Sequence, residues 1–143
     1  MSDLIINGKD ALSTWGVRMG EGFLDAIDGF PSMKPYIENE SRLENGKRVI
    51  TSNPMIDSRQ LNLPFTISGD TEEEYRRRRK AFISELLKGN VTVCVPPLTS
   101  ETYKLVYLGK GTSYALSLDR TFSRLTLKFE EPDPTDRDVF SPV

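Results

Sequence analysis

Histidine is absent from the 143 residues, and cysteine occurs once, as Cys94. Without His there is no Ser-His-Asp or Cys-His nucleophilic pair, no imidazole to carry protons near neutral pH, and no His-ligated zinc or iron. A single thiol excludes an intrachain disulfide and a cysteine metal cluster. An enzyme is therefore disfavoured, though carboxylate chemistry remains open, and no cofactor or metal is expected. Charge of one sign is also not in excess: 19 Lys and Arg stand against 21 Asp and Glu, for a net charge of −2. No apolar run approaches the roughly 18 residues of a membrane-spanning helix. The opening Met1-Ser2-Asp3-Leu4-Ile5-Ile6-Asn7-Gly8 has neither the basic start nor the apolar stretch of a signal peptide. We therefore expect a protein made and folded in the cytoplasm, with no membrane partner.

What the chain does contain suits one globular domain over residues 1–143. Val, Ile, Leu and Phe make up a little over a quarter of it, above the rough 20% below which disorder is expected. At this length folding removes roughly 68–70% of the unfolded chain's accessible surface, enough for a real core.

Hairpin signals recur along the sequence. Leu4-Ile5-Ile6 runs into Asn7-Gly8, a pair that accepts the positive φ angles of tight turns, and Trp15 to Met19 reads as the returning strand. Gly20 to Pro35, with three Gly and two Pro, reads as a loop with room for a helical turn or two at Phe23-Leu24 and Ala26-Ile27. Leu61, Leu63, Phe65 and Ile67 alternate with polar neighbours, the period-2 pattern of a half-buried strand. Pro64 within it cannot donate a ladder bond, which predicts an edge or a bulge. Thr71 to Lys88 is the one long helix. Thr71 and Glu74 fit a capping box, Gly89 is placed to end it, and Tyr75, Phe82, Ile83, Leu86 and Leu87 form its apolar face. Val91 to Val95 reads as a buried strand stopped by Pro96-Pro97, and Cys94 within it as a small buried hydrophobe. Tyr103 to Leu108 and Tyr114 to Leu118 read as strands separated by a turn at Gly109-Lys110-Gly111, followed by an alternating strand through Leu125, Leu127 and Phe129. The tail from 132 to 143 is expected to be extended. Seven or eight strands and one helix predict the α+β class: a mostly antiparallel β-sandwich or split β-barrel with one long flanking α-helix, about Thr71 to Lys88.

Three polar clusters invite a chemical reading. Arg76-Arg77-Arg78-Arg79-Lys80 could contact nucleic acid, but Glu72, Glu73 and Glu74 stand four residues before the first three arginines, in the order that stabilises a solvated helix face. Glu130, Glu131, Asp133, Asp136 and Asp138 lack the spacing of a calcium loop. Glu38 and Glu40 could in principle act as acid and base on a glycan, yet nothing around them marks a pocket.

The segment from Tyr36 to Ser52 is different in kind. Asn45-Gly46 near its middle predicts a hairpin, but its first half, Tyr36 to Glu44, carries too few apolar residues to cover a core. A hairpin with little to bury at home projects, and its open backbone edges seek a partner. Tyr36, Ile37 and Val49 are the expected anchors of such a contact. Glu38, Glu40, Arg42 and Arg48 would be enclosed with them, on either side of the Asn45-Gly46 turn.

Arg59-Gln60-Leu61-Asn62-Leu63-Pro64-Phe65-Thr66-Ile67-Ser68-Gly69, the charged helix with Tyr75 and Phe82, Gly89-Asn90-Val91, Tyr103 through Gly109 and the strand ending Phe129-Glu130-Glu131-Pro132 together resemble siphovirus-type tail proteins of phages and prophages. The likeness is to the N-terminal domain of the distal tail family, and Leu4 to Gly8 followed by Trp15 is similar as well. Members of that family usually carry a second, C-terminal β-sandwich domain. The resemblance implies a β-barrel-like fold with a flanking helix, assembled as a ring, commonly a hexamer, around the tail channel. It implies copies of itself and other tail proteins as partners, in a virion tail built in the bacterial cytoplasm, with a distal-tail, tail-tube or tail-completion role. The alternative is a nucleic-acid-binding accessory domain using Arg76 to Lys80, whose binding would weaken with salt. Replacing Asn45-Gly46 by two prolines is expected to distort the hairpin and reduce assembly, read by light scattering, while the circular dichroism of the core stays unchanged.

Overall fold

The computed structural model describes residues 3–31, 33–34, 37–40, 47–50 and 55–139, of which 37–40, 47–50 and 139 are described through their backbone. Short elements open the chain. Strands β1 (Ile5–Ile6) and β2 (Lys9–Asp10) pair across Asn7-Gly8, whose φ angles of 52° and 78° are those the turn requires. Helix α1 (Ala11–Trp15) starts where the Asp10 carboxylate accepts a hydrogen bond from the Ser13 amide at 3.2 Å. Strand β3 (Val17–Met19) and helix α2 (Phe23–Ile27) follow.

Trp15 to Met19 thus differs from the sequence expectation. Trp15 ends a helix, and β3 pairs with the distant β6 (Arg59–Ser68), with Val17 opposite Ile67. The other neighbour of β1 is β7 (Asn90–Cys94). The Gly20 to Pro35 segment holds α2, whose Phe23 and Ile27 are buried.

Helix α3 (Glu72–Leu86) begins with the Thr71 hydroxyl accepting from the Glu74 amide at 3.1 Å. The Glu74 carboxylate does not close the expected box; it pairs with Arg78 at 2.6 Å, four residues on. Tyr75, Phe82 and Leu86 are buried, Ile83 packs against the core, and Leu87 falls past the last turn into solvent. Strands β8 (Glu101–Leu116), β9 (Phe122–Glu131) and β10 (Asp138–Val139) complete the sheet.

Among the described residues every strand pairing of the main sheet is antiparallel, in the order β2-β1-β7-β8-β9-β6-β3, with β10 beside the start of β8. The sheet curls into a half-barrel accompanied by few helices, so the α+β expectation holds. Gly109-Lys110-Gly111 is not a turn. It lies inside the single strand β8, where the register against β9 shifts between Tyr107 and Ser113. The segment after Pro132 does not run out freely: residues 138–139 return to the sheet and Asp138 pairs with Thr102. Leu118 lies beyond β8, fully exposed in the turn before β9.

Strands β6 and β9 form the longest uninterrupted ladder, ten residue pairs from Arg59 opposite Glu131 to Ser68 opposite Phe122. Pro64 tolerates its place there. Gly20 donates its amide to the Pro64 carbonyl at 2.9 Å on the β3 side, just beyond the end of β3. The missing N–H therefore faces that open end, and the ladder with β9 loses nothing. On the inner face a chain of rings joins the elements. Phe65 sits 5.4 Å from both Phe23 and Phe82 and 6.2 Å from Phe129; Phe82 also meets Trp15 at 5.7 Å, and Phe129 meets Tyr107 at 5.5 Å. Each buried ring contributes about 1.5–3 kcal/mol by leaving water.

The approach of β6 to α3 leaves no room for a side chain at Gly69. A Cβ there would lie 2.6 Å from the Tyr75 amide nitrogen and 2.9 Å from its Cα. Gly69→Ala is expected to destabilise the fold by about 3 kcal/mol, read as a lowered urea midpoint, because backbone and not a flexible side chain would have to move.

Candidate assembly surface

Among the described residues, strands β4 (Ile37–Glu40) and β5 (Lys47–Ile50) pair only with each other, in a two-stranded sheet apart from the main one. Ile37 opposes Ile50, Glu38 opposes Val49, Asn39 opposes Arg48 and Glu40 opposes Lys47. Of the residues expected to make a subunit contact, Ile37, Glu38, Glu40, Arg48 and Val49 thus lie on this ribbon. Tyr36, Arg42, Asn45 and Gly46 lie outside the described residues. The ribbon's stem is described: Met33 bridges to Ile56, and the Lys34 amide donates to the Met55 carbonyl at 2.8 Å.

Below the stem, Arg59 ties the two ends of the arm together. Its Nη1 donates to the carbonyls of Ile27 at 3.0 Å and Gly29 at 2.7 Å, on the strand of chain that leads into the arm. Arg59 itself stands where the chain comes back. Its Nε and Nη2 reach Glu131 Oε1 at 3.0 and 2.9 Å. Arg137, from the segment after β9, donates to the same carboxylate from Nε at 2.9 Å and Nη2 at 3.0 Å, and from Nη1 to Glu101 at 3.2 Å. Arg59 is 6% exposed and Glu131 wholly buried. The Tyr103 ring lies 5.8 Å from the Arg59 guanidinium and 4.5 Å from that of Arg137. Burial pushes the Tyr103 phenol up, with Arg137 pulling the other way, and the bonds to Glu131 raise the already high Arg137 further.

Neither Arg59 nor Glu131 emerges as a site residue from the sequence, though a signal exists. Arg59 stands two residues before Leu61, and Glu131 two after Phe129, so both continue the inward alternation of their strands. Several apolar side chains stand in solvent near this clamp. Phe30 is 95% exposed, and Met33, Met55 and Ile56 are also open to solvent. Met55 and Ile56 line a cleft of about 600 Å³ with Lys34, Asp57, Ser58, Pro132, Asp133 and Thr135.

The charged clusters divide their labour. Arg78 bonds the Ser68 carbonyl at 2.8 Å as well as Glu74, and Arg79 stacks on Tyr114 at 5.4 Å. Arg76, Arg77 and Lys80 are exposed, Arg76 with its guanidinium 5.7 Å from the ring of Tyr75. Tyr75 shares a hydroxyl hydrogen bond with Tyr114 at 2.8 Å, and its phenol is raised chiefly by burial. The acids near the C-terminus serve the fold singly: Glu131 in the clamp, Asp133 accepting from Thr135, Asp136 and Asp138 on Lys104. Burial raises the Cys94 thiol above its usual range, as befits an unreactive core residue.

No family model and no curated protein matches the sequence. A solved structure does: SPP1 Dit (gp 19.1), described as a paradigm of the hub adsorption apparatus in phages infecting Gram-positive bacteria, superposes with a TM-score of 0.58 at 20% identity. The chain has the fold of a phage Dit protein. The superposition takes in 92% of this chain and 50% of SPP1 Dit, so the present residues span half the length of that protein. The resemblance read from the strands and glycines therefore holds for the Dit-like fold.

Because Glu131 neutralises two buried or half-buried guanidinium groups, Glu131→Ala leaves both without a counter-charge. We expect a loss of about 3–5 kcal/mol in urea unfolding, together with faster amide exchange at Lys34, whose bond to Met55 lies just above the clamp.

Proposed function

We propose that this protein is a non-enzymatic structural component of a phage or prophage tail, assembling as a ring subunit around the tail channel. The observation that carries the reading is the Dit-like fold across nearly the whole chain, in which a two-stranded arm stands outside the main sheet. Association is the mechanism. An isolated ribbon of two strands is marginally stable in water, and its unpaired outer edges are suited to a neighbour's main chain. The apolar residues at the arm's root, Phe30, Met33, Met55 and Ile56, supply the kind of contact area that anchors protein interfaces. A head-to-tail contact that closes on itself makes a ring. Other tail proteins would then meet the two faces of that ring.

The accessory nucleic-acid reading has less support, since Arg78 and Arg79 are engaged with Ser68, Glu74 and Tyr114 and the chain as a whole is acidic. The reading as a ring subunit is tested by absolute mass from light scattering after size exclusion, across a series of concentrations and salt. A discrete oligomer, such as a hexamer, is expected; a strict monomer throughout the series would count against it.

A further inference from the structure

The far half of β8 has an open side. On the β7 side the pairing ends with Asn90 opposite Val106 and the Tyr107 amide donating to the Gly89 carbonyl at 2.8 Å. No described strand lies beside Gly109–Leu116 there, and all eight residues are exposed. The other side pairs with β9, where Ser113 opposes Thr126, Tyr114 opposes Leu125, Ala115 opposes Arg124 and Leu116 opposes Ser123. The Ser117 amide donates to the Phe122 carbonyl at 2.9 Å, which fixes the alternation. Ser113, Ala115 and Ser117 turn their main-chain groups toward β9, whereas Tyr114 and Leu116 turn theirs outward. Exposed edges are usually blunted by bulges and lysines. Here the register shifts and Lys110 guard only the start of the stretch, and Tyr114 to Leu116 lie beyond them.

The charge around this edge is mainly positive. Lys110 is on the edge strand, Arg124 opposes Ala115, and Arg79 stacks on the Tyr114 ring. The acids nearby are engaged at the tip, Glu72 with Arg120 at 3.6 Å and Asp119 with Ser117 and Thr121. The arm presents the opposite sign on one strand: β4 carries Glu38 and Glu40, while β5 carries Lys47 and Arg48. Donor and acceptor lie at opposite ends of the β6–β9 ladder. The arm leaves at Arg59–Glu131 and the edge lies by Ser68–Phe122, roughly 30 Å away along ten residues of strand.

We propose that the open edge of β8, at Tyr114 to Leu116, takes up strand β4 of a second copy's arm, so that the main sheet continues across the subunit boundary. This rests on the ring-subunit reading and names the surface that receives the arm. Main-chain bonds would supply adhesion, and the acidic β4 against the basic edge would select β4 over β5 and set its direction of approach. Opposite placement of donor and acceptor makes the contact heterologous, the kind that closes into rings.

Two experiments test it. Leu116→Pro removes an outward N–H and leaves the β9 ladder intact, so the variant is expected to keep its circular dichroism and lose the discrete oligomer. Independently, chains with Asn39→Cys are mixed with chains carrying Thr112→Cys, Tyr114→Cys or Leu116→Cys and oxidised; Cys94 is buried and takes no part. A mixed disulfide dimer is expected with at least one of the three, several-fold above an Asn39→Cys and Leu24→Cys control. An oligomeric parent whose Leu116→Pro variant keeps the same mass, with no mixed dimer above control, overturns the pairing and leaves the ring reading standing. A parent that stays monomeric and gives no mixed dimer overturns both.

Discussion

The β6–β9 register is the constraint on which the other parts of the molecule rest. Along ten pairs it sets Leu61, Leu63, Phe65 and Ile67 facing inward with Leu125, Leu127 and Phe129. A slip of one residue would turn Gln60, Asn62 and Thr66 into the core and every apolar partner out. Phe65 is the hub of the ring cluster, so the positions of α2 and α3 follow from the same register. At its end the ladder places Arg59 opposite Glu131, and their pairing inside the sheet is how the arm and the segment after β9 come to share one anchor.

The chemistry of the surface points the same way as the fold. Polar side chains that could have formed a reactive cluster are spent on structure: Asp10 on a helix start, Arg78 on a carbonyl between β6 and α3, Glu131 on two arginines. What the surface leaves unspent is main chain and apolar area, on the ribbon β4–β5, around Phe30 and Met55, and along the end of β8. These are materials for contact between proteins.

Local features were legible in the sequence and long-range ones less so. The Thr71 cap, the Asn7-Gly8 turn and the alternation of β6 depend on neighbours a few residues away, and each stands where composition placed it. Gly109-Lys110-Gly111 has the composition of a turn, but β9 runs beside both of its flanks and holds it straight, with the glycines absorbed as an irregularity. Val17 to Met19 could return to β1 by proximity; the capping of α1 by Asp10 carries the chain around to β6 instead. Glu131 reads as one of five clustered acids until the inward period of β9 is continued by one step. The residues on β4 and β5 were legible only as a ribbon with too little to bury, and the ribbon does stand apart from the main sheet among the described residues.

Arg59 binds carbonyls on the incoming side of the arm while belonging to the outgoing side, and this has a consequence for how such a protein can change. A segment stapled at both ends by one side chain behaves as a cassette. The cost of closing a loop grows slowly, by only about 0.6 kcal/mol for each doubling of its length, so the part beyond the Met33–Ile56 bridge can be lengthened, shortened or recomposed with little effect on the sheet below. Its length and composition are then not fixed by the needs of the sheet that carries it.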